Sequence, residues 1–151
     1  MKPIVVSRTI QAPVEVVFRT ISDVRNFSKA VPQIINIEFL SEHSSGIGTR
    51  FRETRLMNGK EQTVDLEVVD LVPNQHVRIV SDAGGTLWDS LFSTSSNGDC
   101  TELTLQMDIR PHHVFARVMN MMIRGVVENA IVRDMDAVKT YCESERSNEV
   151  M

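Results

Sequence analysis

Two rhythms of apolar and polar positions divide the chain. Residues 2 to 10 alternate, with Ile4, Val6 and Ile10 on one side of a pleat, and this predicts a first strand. After Pro13, Val14, Val17, Phe18 and Ile21 recur at helical spacing, so a short helix is expected to end near Ser22 and Asp23. A second helical piece, Val24 to Ala30, is closed by Pro32. From Ile34 the period becomes two, broken at Ser44-Ser45-Gly46, Asn58-Gly59, Pro73-Asn74, Gly84-Gly85 and Asn97-Gly98. Asn-Gly is a strong hairpin signal, because both central residues of the tight turn need positive φ. The breaks separate six strands, near 34–43, 48–57, 61–72, 76–83, 86–96 and 100–110, and their even spacing predicts an antiparallel up-and-down meander. From about Pro111 to Cys142 the pattern is helical again, and such a helix would span on the order of 45 Å.

The strands are sided. Val64, Leu66 and Val68 share one face against Thr63, Asp65 and Glu67, and Leu103, Leu105, Met107 and Ile109 alternate with Thr104, Gln106 and Asp108. One face of the sheet is therefore apolar and needs a cover. The terminal helix is expected to supply it through Phe115, Val118, Met122, Val126, Ala130, Val138 and Tyr141. A curved sheet gripping a helix leaves a cavity between them, expected to measure a few hundred Å³.

Composition narrows the reading. The 151 residues suit one domain, assigned to 1–143, followed by a polar tail over 144–151 that is expected to fray. With 42% hydrophobic and 24% charged residues and a net charge of −4, nothing calls for a nucleic-acid partner. Cys100 and Cys142 stand apart from any Cys/His cluster, so no zinc site or disulfide framework is expected, and a reducing cytoplasm fits. The N-terminus lacks the apolar core of a signal peptide, and Arg117, Arg124 and Glu128 interrupt the most apolar helical stretch, which argues against a bilayer span.

The opening strand that ends in Ile10-Gln11-Ala12-Pro13, the Val17-Phe18 and Ile21-Ser22-Asp23 steps, and GTRFRETRLMNGKE from Gly48 to Glu61 carry a family likeness. Together with the element order they resemble the helix-grip fold of the START-like (SRPBCC) superfamily, and most of all its polyketide cyclase/dehydrase group. The likeness covers essentially 1 to 143. It implies an α+β fold in which about seven curved antiparallel strands wrap a long C-terminal helix, with two short helices between the first and second strands. That superfamily includes lipid carriers, hormone-binding proteins, cyclases and co-chaperone-like domains, so the fold is implied and the activity is not.

Candidate chemistry concentrates on the strand at 50–57. One face of its pleat carries Phe51, Glu53, Arg55 and Met57, and the other Arg50, Arg52, Thr54 and Leu56. If the more apolar first face looks inward, Glu53 and Arg55 pair there, since buried charge is tolerable only when paired. A guanidinium in an apolar pocket suits a carboxylate or phenolate. The competing reading is a wet strand face bearing exposed ions. Trp88 and Phe92 share a face four residues apart, and Leu66, Met107 and Met122 complete the expected lining. His112 and His113 fit the start of the long helix better than a metal site.

No nucleophile elbow, GxGxxG or GxxxxGK[ST] occurs, and Arg55 beside Glu53 favours binding over proton transfer. The expected function is binding of a small hydrophobic or amphipathic molecule, such as a lipid, isoprenoid or polyketide-like metabolite, by a monomer or weak homodimer without cofactor or metal. Two alternatives remain. One is an enzyme of the cyclase or dehydratase type using the same cavity, which calls for a second polar group facing Glu53. The other is a co-chaperone-like interaction domain, which calls for an exposed apolar patch and a filled interior.

Overall fold

The computed structural model describes residues 2–150, with side-chain environments up to 147. The elements run β1 (Ile4–Ile10), α1 (Val14–Ser22), α2 (Val24–Ala30), β2 (Ile34–Phe39), β3 (Arg50–Met57), β4 (Lys60–Val72), β5 (His76–Ala83), β6 (Thr86–Asn97), β7 (Cys100–Pro111) and α3 (Val114–Val150). All neighbours in the sheet are antiparallel, in the order β1-β7-β6-β5-β4-β3-β2. The meander is thus as expected, and β1 closes on its last strand.

Turn chemistry places the hairpins. Asn58 and Gly59 adopt φ of 52° and 78° between β3 and β4, and Gly84 and Gly85 adopt 63° and 79° between β5 and β6, the paired positive values of a tight two-residue turn. Pro13 caps α1, its carbonyl accepting from Val16 and Val17. Asp23 caps α2 through a side-chain bond from the Arg25 amide at 2.9 Å.

Two boundaries differ from the sequence reading by four residues or more. β2 stops at Phe39 instead of 43, because the carbonyl of Arg50 draws in the amides of Leu40 and Ser41 and folds 40–49 into a loop. The terminal helix runs on to Val150, past Cys142. No Gly or Pro stops it there. Near the end of this helix Lys139 pairs with Glu143 at 2.8 Å, Glu143 accepts from the Gln11 amide, and Arg146 donates to the Gln11 carbonyl at 3.1 Å.

The core lies between the concave sheet face, α1, α2 and the second half of α3. Ile10, Val17, Val31, Val77, Leu103, Val138 and Cys142 are fully enclosed, and the Thr101 hydroxyl donates to the Ala12 carbonyl at 2.8 Å to pin the β1–α1 turn to β7. Of the expected helical cover, Val138 is buried and Tyr141 packs against the core from a half-buried position. Phe115, Val118, Met122 and Val126 instead face solvent. The inward stripe of the first half is Ala116 and Asn120, because the sheet approaches too closely there for large side chains. A Cβ on Gly85 would stand 2.8 Å from His113 Nε2 and 3.5 Å from the Ala116 Cβ, and Asn120 Nδ2 donates to Thr86 Oγ1 at 2.9 Å.

Candidate functional site

On β3 the face carrying Phe51 and Glu53 is turned inward, while Arg50 and Arg52 lie outside, where Arg52 pairs with Asp65 at 2.7 Å. The alternation of the strand forces Arg55 onto the same inner side as Glu53. Its Nε donates to Glu53 Oε1 at 2.9 Å, and its Nη1 donates to both oxygens of Asp134, on α3, at 3.0 Å. Glu53 is 8% exposed, and the side chains of Arg55 and Asp134 are each 16% exposed. The cluster joins a strand near one sheet edge to the helix, so the grip is closed by charge as well as by apolar packing.

Two carboxylates share one guanidinium, which leaves the cluster with one net negative charge. Burial alone would lower the pKa of Arg55, but the charges of Asp134 and Glu53 outweigh it and hold the guanidinium above its ordinary value. Burial pushes the Asp134 carboxyl above the usual carboxylate range, with Arg55 pulling it back and Glu53 adding to the rise. The opposite balance at the two partners is what one cation between two anions produces.

Next to the cluster lies a cavity walled by Ile21 of α1, Val24 and Phe27 of α2, Ile34 and Ile37 of β2, Phe51 and Glu53 of β3, Ile79 of β5 and Phe92 of β6. Phe27 and Phe92 meet edge to face at 5.9 Å. By the space open to the centre of a water molecule the cavity measures about 20 Å³, enough for a water and far below the few hundred Å³ expected. Ile21 of α1 and Val24 and Phe27 of α2 stand on its wall.

Of the residues predicted from sequence, the structure brings Phe51, Glu53 and Phe92 to this cavity, with Arg55 behind Glu53. Leu66, Trp88 and Met107 are partly buried against the core outside its wall, and Trp88 Nε1 donates to the Ala83 carbonyl at 3.3 Å. Met57 is half-buried at the end of β3. Met122 is 73% exposed and lies on the outer side of α3. Sequence reasoning missed Asp134 and the α1–α2 wall. The signal for Asp134 was a carboxylate three residues after Ile131 and four before Val138, inside the buried stripe of α3.

His112 Nε2 lies 3.0 Å from Asp82, and His113 Nδ1 accepts from the Ala116 amide at 3.1 Å, so both serve the start of α3. Burial pushes the Cys142 thiol up, which makes it a poor nucleophile. Among the described residues no group of three or more His, Cys, Asp or Glu could hold a metal ion, and no helix is long and apolar enough to cross a membrane.

A curled antiparallel sheet closed on a long C-terminal helix, with two short helices after the first strand, is the helix-grip class of α+β fold. Residues 1–143 match the family described as polyketide cyclase / dehydrase and lipid transport, and the chain belongs to that family. No functionally curated protein matches the sequence. Solved structures with the same fold include the Zhui aromatase/cyclase from Streptomyces sp. R1128 (20% identity, TM-score 0.79, covering 94% of this chain and 93% of that one). Ara h 8.0201 is similar at 13% identity and a TM-score of 0.75, over 94% and 97% of the two chains. A protein from Thermus thermophilus, TTHA0849, is similar at 16% identity and a TM-score of 0.72, over 95% and 98%. At these identities the likeness is one of fold.

Proposed function

We propose that the protein binds a small, largely apolar molecule between sheet and helices, with Glu53 as its polar anchor and Arg55 and Asp134 holding that anchor in place. The observation that carries this reading is the cavity wall: Glu53 is its one polar side chain, and the others are aliphatic or aromatic. Such a wall suits a ligand whose single polar group meets one fixed acceptor. The charge count refines the sequence expectation. With Arg55 already shared by two carboxylates, a carboxylate ligand would add a third anion to one cation, whereas a hydroxyl or amide N–H can donate to Glu53. The preferred ligand is neutral, apolar and donor-bearing. The absence of a second polar wall residue supports binding over cyclase or dehydratase chemistry. A ligand larger than water has to part the Phe27–Phe92 contact, and that cost lowers its affinity.

Native mass spectrometry of freshly purified protein tests the reading through any co-purifying molecule. A thermal-shift panel should pair neutral phenols and alcohols with carboxylates of the same carbon skeleton. Stabilisation by the neutral member of each pair is expected. No bound mass together with no shift from either series would remove the binding reading.

One observation favours a second reading, that of an interaction domain. The cavity is small, and the first half of α3 presents a broad apolar face to solvent.

A further inference from the structure

We propose that this exposed face of α3 is where a second copy of the chain docks, forming a two-fold dimer of antiparallel α3 helices. The proposal rests on the interaction-domain reading and is independent of the cavity, whose wall contains none of the face's residues. At 100° per residue, Val114, Phe115, Val118, Met121, Met122 and Val126 fall on one arc of roughly 140°. All are at least half exposed, up to 77% for Val114 and 73% for Met122. With their apolar neighbours Met119 and Ile123 they offer on the order of 800 Å² of surface, the amount each partner gives to a standard interface and more than a monomer ordinarily leaves bare.

The helix cannot roll to hide this arc. Asn120 is bonded to Thr86, Ala116 sits over Gly85, and Arg124 donates to the carbonyls of Lys2 and Pro3 at 2.7 and 3.3 Å. Rolling would break these contacts.

The face is also self-complementary. Around a two-fold axis at the level of Asn120, Val114 comes level with Val126 of the other copy, Val118 with Met122, and Phe115 with Gly125. A glycine inside a helix costs about 1 kcal/mol against alanine, and a Cβ on Gly125 would meet nothing within 4 Å in the single chain. In the pair, that space is the floor of a hole between Met122 and Val126 that receives Phe115. No acidic residue lies between Asp108 and Glu128, so the seam brings no carboxylates together. A lipid surface fits less well: the net charge is −4, and of the two basic residues of this segment, Arg117 and Arg124, the second is already engaged by the carbonyls of Lys2 and Pro3.

Sedimentation velocity over a concentration series of the full chain tests the proposal. The wild type should be a dimer. F115E and M122E alter exposed positions, so they should keep the wild-type circular dichroism while raising the dimer dissociation constant at least about 30-fold. G125L discriminates further: it adds apolar area and helix propensity, and would tighten a non-specific hydrophobic contact, but it should weaken this pairing by closing the hole. A wild type that stays monomeric at about 100 μM, or variants that leave the mass unchanged, would overturn the dimer. Flotation of a monomeric wild type, but not M122E, with phosphatidylcholine vesicles would overturn it in favour of a membrane. If the dimer fails while wild type binds bis-ANS more strongly than M122E, the face remains adhesive and only the second copy is wrong.

Discussion

Replacing Arg55 by Met tests the charge cluster most directly, because it keeps much of the stem while removing the cation that two buried carboxylates share. At 2.9 and 3.0 Å, each ion pair is worth roughly 5.5 kcal/mol of gross Coulomb attraction at an effective dielectric constant of about 20. Much of that is offset by the cost of taking all three groups out of water. The expected net loss is about 3 to 5 kcal/mol, the range for breaking a buried pair and stranding its partner. For a domain of this size that lowers the melting temperature by on the order of 10 °C. The loss must depend on pH. Burial already raises the Asp134 carboxyl against the pull of Arg55, and without that pull it rises further, so the native state holds a proton that the unfolded state has released. The penalty is then small near pH 4 and grows as pH rises through the folded pKa. Thermal melts of wild type and R55M at pH 4.5 and 8 should show the larger difference at pH 8, and adding E53Q should recover part of it. A loss below about 1 kcal/mol, or one equal at both pH values, would refute a buried, mutually dependent cluster.

Further outcomes follow from the same contacts. D134N should leave Glu53 and Arg55 as a balanced pair, with the amide oxygen still able to accept from the guanidinium; it should shift stability at pH 8 by no more than about 1 kcal/mol. Because burial raises the Asp134 carboxyl, its stabilising share is complete below the ordinary carboxylate value and is lost as pH rises through the folded one. D134N should therefore flatten the fall in stability just above pH 4, and an unchanged slope in urea melts would show that Asp134 does not carry it. F51A should cost about 3 to 5 kcal/mol in urea unfolding while enlarging the cavity enough to admit a small aromatic molecule; loss of stability without new uptake would mean the walls had collapsed. G85A places a Cβ 2.8 Å from His113 Nε2 at a φ of +79° and should cost more than about 1 kcal/mol, so a melt unchanged from wild type would contradict the tight approach of α3 to this turn.

The sheet was legible because its signals are local. Asn58-Gly59 and Gly84-Gly85 announce turns that only positive φ can make, and strict alternation leaves one assignment of faces. The same rule put Phe51, Glu53 and Arg55 on one side of β3, as the structure has them. The pairing of Asp134 with Arg55 was not legible, because a carboxylate 79 residues away has no local pattern that names its partner. Nor was the size of the cavity: the reach of the α1 and α2 side chains that wall it depends on the angle at which those helices pack.

The first half of α3 was misread for a reason that reaches further. A hydrophobic stripe gives a helix's direction only when the rest of its surface is polar, and from Val114 to Val126 apolar residues cover well over half of the circumference. Pattern alone then assigns the largest side chains to the core. In this protein the core side of that segment is fixed by steric fit and hydrogen bonding, through Ala116 over Gly85 and Asn120 on Thr86, and the bulky residues are turned outward by default. Setting aside the charged Arg117 and Arg124, Ala116 and Asn120 are a small and an uncharged polar exception in an apolar run, and a close approach of backbone selects for such exceptions. Reading the exceptions as the contact surface would have oriented the helix correctly. The same reasoning makes Gly125, the remaining small residue of the run and one that meets nothing in its own chain, the mark of a second close approach from outside.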